Sequence, residues 1–245
     1  TMGLTAENVA SRFNISRQEQ DAFAFESHQK AVKALKEGRF KEQILPIKVI
    51  DRNFENGKAV RREKIFETDE CVRADTSLEK LANLRPLFRA GGTVTAGNFC
   101  PMNDAASAVV VMTREKAKQL GLKPMGVFRS IGVAGVDPEV MGIGPVFAIP
   151  KALKAAGISL SQVDLIELNE AFASQSIYVV KTLGIDMNKL NVNGGSIALG
   201  HPLGCTGVYL TTKLLYEMAR REARFGVVTM CIGGGMGAAG VFERP

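Results

Sequence analysis

From about residue 103 onward the chain alternates short apolar runs with stretches of helical spacing, and no other feature narrows its fold so far. Ala105 to Met112, Met125 to Val133, Val163 to Leu168, Asn191 to Asn193, Phe225 to Met230 and Gly237 to Phe242 read as strands. Arg114 to Leu120, Pro145 to Ala156, Ala171 to Leu183 and Gly204 to Arg221 read as helices, the second with a proline suited to a helix start. Alternation of this kind implies a layered α/β domain whose sheet is covered by helices. The last two runs are joined by Cys231 to Met236, short enough for an antiparallel hairpin at the sheet edge, so we expect a mixed, five-stranded sheet.

Residues 1–102 have a different texture: charge-rich, mostly helical, with strand runs only around Gln43 to Ile50 and Val60 to Glu67. Thr5 to Asn8 can cap a first helix, and Ser16-Arg17-Gln18-Glu19 has the form of a capping box for a second. Phe23, Ala24, Ser27, Ala31, Ala34 and Leu35 then make a small-residue stripe that Gly38 ends. His28, near Glu26, reads as a surface or boundary histidine. The chain begins at Thr1 with no leader before its helical stretch, as a processed chain, an expressed piece or a fragment would.

With 245 residues and 46% hydrophobic content the chain can build a substantial core. A net charge of +6 is compatible with nucleic acid or a phosphorylated small molecule. The densest basic cluster, Lys58, Arg61, Arg62 and Lys64, is interrupted by Glu63 and followed by Glu67, Asp69 and Glu70, which suits a solvated hairpin first and the edge of an anionic-cofactor site second, and argues against nucleic acid. Cys71, Cys100, Cys205 and Cys231 form no CxxC pair, and His28 and His201 lie far apart, so no metal is expected. No apolar run approaches the roughly 20 residues a bilayer requires, and a soluble protein of a reducing compartment is the default.

Three segments carry chemistry. Val192 to Gly207 delivers His201 between Gly200 and Pro202, just before a helix. A histidine there can donate to an acyl oxygen, and the positive helix end holds its pKa down. Cys231 leads a run of glycines, Gly233-Gly234-Gly235. A thiol with a lowered pKa can exchange a proton with a carbon acid, and exposed backbone N–H groups can form an oxyanion hole. Asn169-Glu170 sits where an apolar strand passes to an apolar helix. The blander alternatives are a tight turn at His201, a small buried cysteine at Cys231 and an ordinary cap at Asn169.

Asn169-Glu170-Ala171-Phe172, Gly200-His201-Pro202 with Gly204-Cys205-Thr206-Gly207, and Cys231 to Gly237 resemble, in order and spacing, three carboxyl-terminal signature blocks of thiolases. Met2 to Ala10 and Leu84 to Asn98 resemble that family's loop domain. The resemblance implies a carboxyl-terminal portion of a thiolase. Residues 1–102 would be a partial, mostly helical, CoA-binding loop domain and 103–245 the carboxyl-terminal catalytic domain, with the amino-terminal nucleophile domain absent. It implies acyl transfer to CoA by thiolytic cleavage of a 3-ketoacyl-CoA, or the reverse Claisen condensation of acyl-CoAs, through an acyl-enzyme on a cysteine. His201 would activate that cysteine, Asn169 would hold a water of the oxyanion hole, Cys231 would move the α-carbon proton, and the Gly233 N–H would serve a second oxyanion hole.

The implied CoA contacts are Arg73, Leu81, Phe88, Ala96, Cys100, Met141, Ala171 and Phe172, with Cys100 standing where many members have serine. Neither Cys71 nor Cys205 lies in a setting suited to the nucleophile, so the isolated chain is expected to be inactive. The resemblance further implies CoA thioesters as substrates, no covalently bound cofactor, a homodimer or homotetramer, and no membrane or nucleic-acid partner. The compartment implied is the bacterial cytoplasm or, alternatively, the peroxisome or mitochondrion. A non-catalytic acyl-CoA or lipid-binding domain is the other functional class that fits.

Overall fold

The computed structural model describes residues 1–55 and 57–245. The chain opens with helices α1 (Met2–Arg12) and α2 (Arg17–Lys36). The Ser16 box forms as its spacing predicts. The Ser16 hydroxyl accepts from the Glu19 N–H at 3.2 Å, and Glu19 Oε2 accepts from the Ser16 N–H at 2.8 Å. Helix α1 starts earlier than expected, because the Thr5 hydroxyl turns back to the Met2 carbonyl at 2.7 Å instead of capping. His28 proves to be buried, contrary to a surface or boundary placement. The segment after Cys71 folds over α2, and the Arg73 N–H donates to His28 Nδ1 at 3.2 Å. Strands β1 (Ile47–Glu55) and β2 (Lys58–Phe66) pair as the solvated antiparallel hairpin expected of the basic cluster.

A separate loop domain over residues 1–102 is not present among the described residues. Buried polar contacts tie this region to the rest of the chain as well as to itself: the Ser27 hydroxyl donates to Glu170 Oε2 at 2.6 Å and the Ser174 hydroxyl to the Ala6 carbonyl at 3.0 Å. The Glu7 carboxylate accepts from the Thr93 and Val94 N–H groups at 2.9 Å, and Asn98 Nδ2 donates to Asp21 Oδ1 at 3.0 Å. Arg17, paired with Asp21 at 2.7 Å, donates to the Leu81 and Leu84 carbonyls around the short helix α3 (Leu78–Ala82). Charge-assisted bonds of this type contribute about 1.5–3 kcal/mol each, so the loop has no reason to separate from the helices that hold it.

After α4 (Arg114–Gln119) come β3 (Val127–Gly135), α5 (Gly144–Ala156), β4 (Leu165–Leu168), α6 (Ala173–Leu183), α7 (Ser196–Leu199), α8 (Thr206–Arg221), β5 (Phe225–Ile232) and β6 (Met236–Glu243). The sheet order is β3-β6-β5-β4, with β4 and β5 parallel and the other pairs antiparallel. The sheet is mixed as expected, but among the described residues it has four strands rather than five. The run at Asn191 to Asn193 makes only a parallel bridge from Leu190 to Ile166, because Asn191 turns the backbone away at φ +42°. Its side chain replaces the ladder, accepting from the Leu168 N–H and donating to the Leu168 carbonyl, both at 2.9 Å.

Ala105 to Met112 is not a strand either. It has no ladder partner among the described residues, and Val110 and Val111 are 85% and 86% exposed. Strand propensity without a partner ladder leaves the backbone unpaired. The final hairpin lies in the middle of the sheet and not at its edge, since β6 also pairs with β3. Small residues allow this: a Cβ on Gly237 would lie 2.2 Å from the Gly144 carbonyl carbon, so α5 packs backbone to backbone on β6. The main core, including Ile149, Leu153, Leu168, Ile177, Val227 and Val241, fills the space between that face of the sheet and α5 and α6. Leu210, Leu214 and Met218 of α8 cover the other face of β4 and β5.

Candidate active site

The site is assembled where β4 and β5 end. The parallel register Leu168 to Thr229 puts Asn169 and Cys231 at the same end of adjacent strands, and the Asn169 N–H extends the ladder to the Thr229 carbonyl at 2.9 Å. Next in the chain is Glu170, fully enclosed. Its Oε2 accepts from the Ser27 hydroxyl at 2.6 Å and the Ile197 N–H at 3.2 Å, and its Oε1 accepts from Asn191 Nδ2 at 2.6 Å. Burial pushes the Glu170 carboxyl above its ordinary range, opposed by the Ser27 and Asn191 bonds. This carboxyl therefore holds the 191–197 turn against α2. Gly195 is the residue that permits it, as a Cβ there would sit 2.1 Å from the carboxyl carbon. A second tie comes from Lys213 of α8, whose Nζ donates to Glu167 Oε2 at 2.9 Å and to the Gly194 carbonyl at 2.7 Å in a buried setting.

That turn delivers His201, whose N–H donates to the Pro101 carbonyl at 3.0 Å. Gly200, at φ +98°, lies so close to Asn103 that a Cβ would meet the amide at 2.3 Å. His201 shares an open concavity of about 370 Å³ with Met102, Asn103, Asp104 and Leu203. On one side its Nδ1 is 2.7 Å from Thr206 Oγ1, and the Thr206 hydroxyl donates to the Pro202 carbonyl at 3.0 Å. A hydroxyl has one proton, so Thr206 accepts from His201 Nδ1–H. The other nitrogen, Nε2, then carries a lone pair, and it lies 3.4 Å from Asn169 Nδ2. Burial lowers the His201 pKa and keeps the ring neutral. The direction matches the sequence expectation, and burial supplies its cause.

Cys231 is the penultimate residue of β5, which leads through Ile232 into the Gly233-Gly234-Gly235 turn, where Gly234 and Gly235 have φ of +85° and +93°. Beside Gly235 there is no room for a side chain, since a Cβ would be 2.3 Å from the Val136 carbonyl oxygen. Burial pushes the Cys231 thiol up to about 11, so its surroundings do not lower it as a poised acid would require. Cys100 is pushed up to about 12 by burial, with Cys231 adding to the effect, and the Cys71 thiol is raised by burial and then by Asp69 and Glu70.

The residues implicated in CoA contact are only partly brought together. Phe88 and Phe172 join Phe99 in an aromatic cluster with ring centroids 5.6–6.4 Å apart. The Cys100 N–H donates to the Ala171 carbonyl at 3.1 Å, placing both beside that cluster. Leu81 is buried against Gly97, next to the exposed Ala96. Met141 is buried in a 3-10 turn (Pro138–Ile143) that packs on β5 and β6. Arg73 is exposed beside His28. Sequence reasoning missed Phe99, Ser196 and Thr206. Phe99 was legible as an aromatic between two implicated positions, whereas nothing local marks Ser196. Among the described residues no cluster of three or more His, Cys, Asp or Glu could hold a metal, and no helix is long and apolar enough to cross a membrane.

Comparison with known proteins gives a consistent family assignment. Residues 1–115 match the model described as thiolase, N-terminal domain, and residues 122–244 the one described as thiolase, C-terminal domain. This corrects the expectation of a carboxyl-terminal portion only, since the first 115 residues carry the amino-terminal domain's pattern. A 3-ketoacyl-CoA thiolase of Bacillus subtilis is 59% identical over 244 residues, covering 99% of this chain and 62% of that protein. A solved acetyl-CoA acetyltransferase of Bacillus anthracis superposes with a TM-score of 0.94 at 46% identity, over 100% of this chain and 60% of its own. Human mitochondrial 3-ketoacyl-CoA thiolase in complex with CoA does so with a TM-score of 0.89 at 40% identity, over 100% and 59%. The chain thus spans about three fifths of the length of these proteins.

Proposed function

We propose, because this chain belongs to the thiolase family, that it serves acyl transfer between CoA thioesters, by thiolytic cleavage of a 3-ketoacyl-CoA or by the reverse condensation. The observation that carries this is the directed path from His201 through Thr206 to the Pro202 carbonyl, which leaves Nε2 as a neutral base facing Asn169. In this reading Nε2 takes the proton of a nucleophilic thiol, and the resulting imidazolium then donates to the thioester oxygen. His201 is thus a base first and a donor second. Asn169, through its NH₂ or a water it holds, strengthens the same oxyanion hole, where one donor is worth about 2.7–4 kcal/mol. Cys231 carries the α-carbon proton, a role that requires the bound acyl-CoA to bring down the thiol that burial raises in the free chain, and the Gly233 N–H serves the second oxyanion hole.

CoA would lie along Leu81, Phe88, Ala96, Cys100, Met141, Ala171 and Phe172, with Arg73 at the phosphate end. The clustered phenylalanines suit the pantetheine arm, and the +6 charge suits an anionic ligand. Homodimers or homotetramers belong to the same proposal, supported by exposed Val110, Val111, Phe128 and Ile131. The compartment we propose is the bacterial cytoplasm, with the peroxisome or mitochondrion as alternatives.

The acyl-enzyme requires a thiolate that none of the four cysteines is set to supply. Cys71, Cys100 and Cys231 have raised pKa values, and the side-chain partner of Cys205 Sγ is a hydroxyl, that of Ser107 at 3.3 Å, rather than the base an activated nucleophile needs. We therefore expect the purified 245-residue chain to bind CoA in isothermal titration but not to cleave acetoacetyl-CoA. Turnover that disappears when Cys71 or Cys205 alone is replaced would overturn this assignment. Absence of both CoA binding and turnover would overturn the acyl-transfer reading for this chain.

A further inference from the structure

We propose that Ser196 is a positioning residue, which fixes which way round the Asn169 side-chain amide sits and thereby makes that amide a donor to the site. Its hydroxyl oxygen lies 2.5 Å from Asn169 Oδ1, and neither residue has any exposed surface. A primary amide is nearly symmetric in shape. Reversed by a half turn, it would present Oδ1 instead of Nδ2 to His201, so the orientation has to be imposed by its partners.

The direction is set from the far end of the path. The Pro202 carbonyl can only accept, so the Thr206 hydroxyl donates to it and accepts from His201 Nδ1–H. Nε2 then has only a lone pair, which an amide oxygen would repel and an amide N–H can approach. Ser196 completes the sequence by donating to Oδ1, so each group from Ser196 to Pro202 donates to the next. Ser196 is itself held from both sides: the Gly195 N–H donates to Ser27 Oγ at 3.1 Å, and the Ile197 N–H donates to Glu170. The hydroxyl is therefore locked where the amide needs it, and α2 contributes to the site through Ser27 without touching it.

The inference rests on the acyl-transfer reading for its functional meaning, but its test observes the ring and the amide, so a failure of turnover leaves it intact. The ¹H–¹⁵N spectrum of the labelled chain reports the His201 tautomer and the Asn169 NH₂ resonances. Wild type is expected to show Nδ1–H with an unprotonated Nε2, and a wild-type ring carrying its proton on Nε2 refutes the proposal without any variant. In Ser196→Ala the amide is free to reverse, and an oxygen facing Nε2 favours the imidazolium. The His201 midpoint should rise by about one pH unit, a tenfold shift in the protonation ratio, and the Asn169 NH₂ signals should broaden. Ser196→Thr keeps a hydroxyl and should restore both signatures.

Asp104 shares the concavity with the ring, Glu170 accepts from the Ile197 N–H behind Asn169, and the Tyr209 hydroxyl of α8 reaches Ser196; all three groups are common to the three proteins, so they cancel in the comparison. A merely structural Ser196 would lower stability in Ser196→Ala and leave the His201 midpoint where it was. An unchanged midpoint with unchanged Asn169 signals sinks the proposal.

Discussion

Replacing Lys213 by methionine tests how the site's framework is held. The ammonium lies 2.9 Å from Glu167 Oε2 and 2.7 Å from the Gly194 carbonyl, and both side chains of the ion pair are at most 4% exposed. Methionine keeps most of the stem's volume and removes the charge, leaving the Glu167 carboxyl enclosed without its cation. Breaking a buried pair from one side costs about 3–5 kcal/mol, against a total stability of about 5–15 kcal/mol. The unfolded population should rise by roughly two to four orders of magnitude. With a urea slope of about 3 kcal/mol per molar, the midpoint falls by about 1–1.7 M.

The penalty depends on pH in a definite direction. Burial already raises the Glu167 carboxyl, and without Lys213 to oppose it the folded value rises further. A folded pKa above the unfolded one means that stability is fully present below the unfolded pKa and is lost as pH rises through the folded value. Lys213→Met should therefore be least damaged near pH 4 and most damaged above neutrality. The double variant Glu167→Leu with Lys213→Met removes both charges and should recover to within about 1.5 kcal/mol of wild type. Urea unfolding at pH 4.5 and 8 measures all of this. A single variant costing under about 1 kcal/mol, or a double variant as damaged as the single one, would refute the reasoning.

Cys231, with its thiol near 11, should be alkylated by iodoacetamide about 300-fold more slowly at pH 7 than a free cysteine. Peptide mass spectrometry over time reads this, and labelling at the rate of a free thiol would contradict the burial argument. Glu19 is held down to about 2, first by its bond to Lys181 and then by Ser16. Its folded pKa is depressed, so its contribution is present above the unfolded value and is lost as pH falls through the folded one. The pair is half-exposed, which limits the effect to under about 1 kcal/mol. Lys181→Met should flatten the fall in urea midpoint between pH 5 and pH 2, and an unaltered slope would remove Glu19 from that acid transition.

Much of the fold was legible wherever local pattern and tertiary need agree. The Ser16 box, the Gly38 stop, the basic hairpin and the helices α5, α6 and α8 follow from caps and periodicity that a neighbour or a turn away already specifies. The failures share a cause. Asn191 to Asn193 and Ala105 to Met112 have strand composition, but a strand exists only by its ladder, and no local pattern says whether a partner lies alongside. Five short motifs carried the family resemblance. They did not reveal that residues 1–115 follow the amino-terminal domain pattern, because the blocks that stood out lie at the loop and carboxyl-terminal positions.

In the site, sequence by itself determined the identity of the chemical groups: a histidine between glycine and proline, an asparagine at a strand end, a cysteine before three glycines. Only the tertiary structure decided their states. His201 is a neutral ring with its proton on Nδ1 because Thr206, five residues on, is committed to Pro202; Asn169 faces it nitrogen first because Ser196, from another segment, holds its oxygen. Cys231 is a raised thiol because the protein packed around its sulfur penalises the thiolate, although the residue keeps some exposed surface. Residue type fixes what a group can donate, accept or release, whereas proton position and pKa depend on partners and burial, and those come from parts of the chain up to about 170 residues away, as with Ser27 and Gly195.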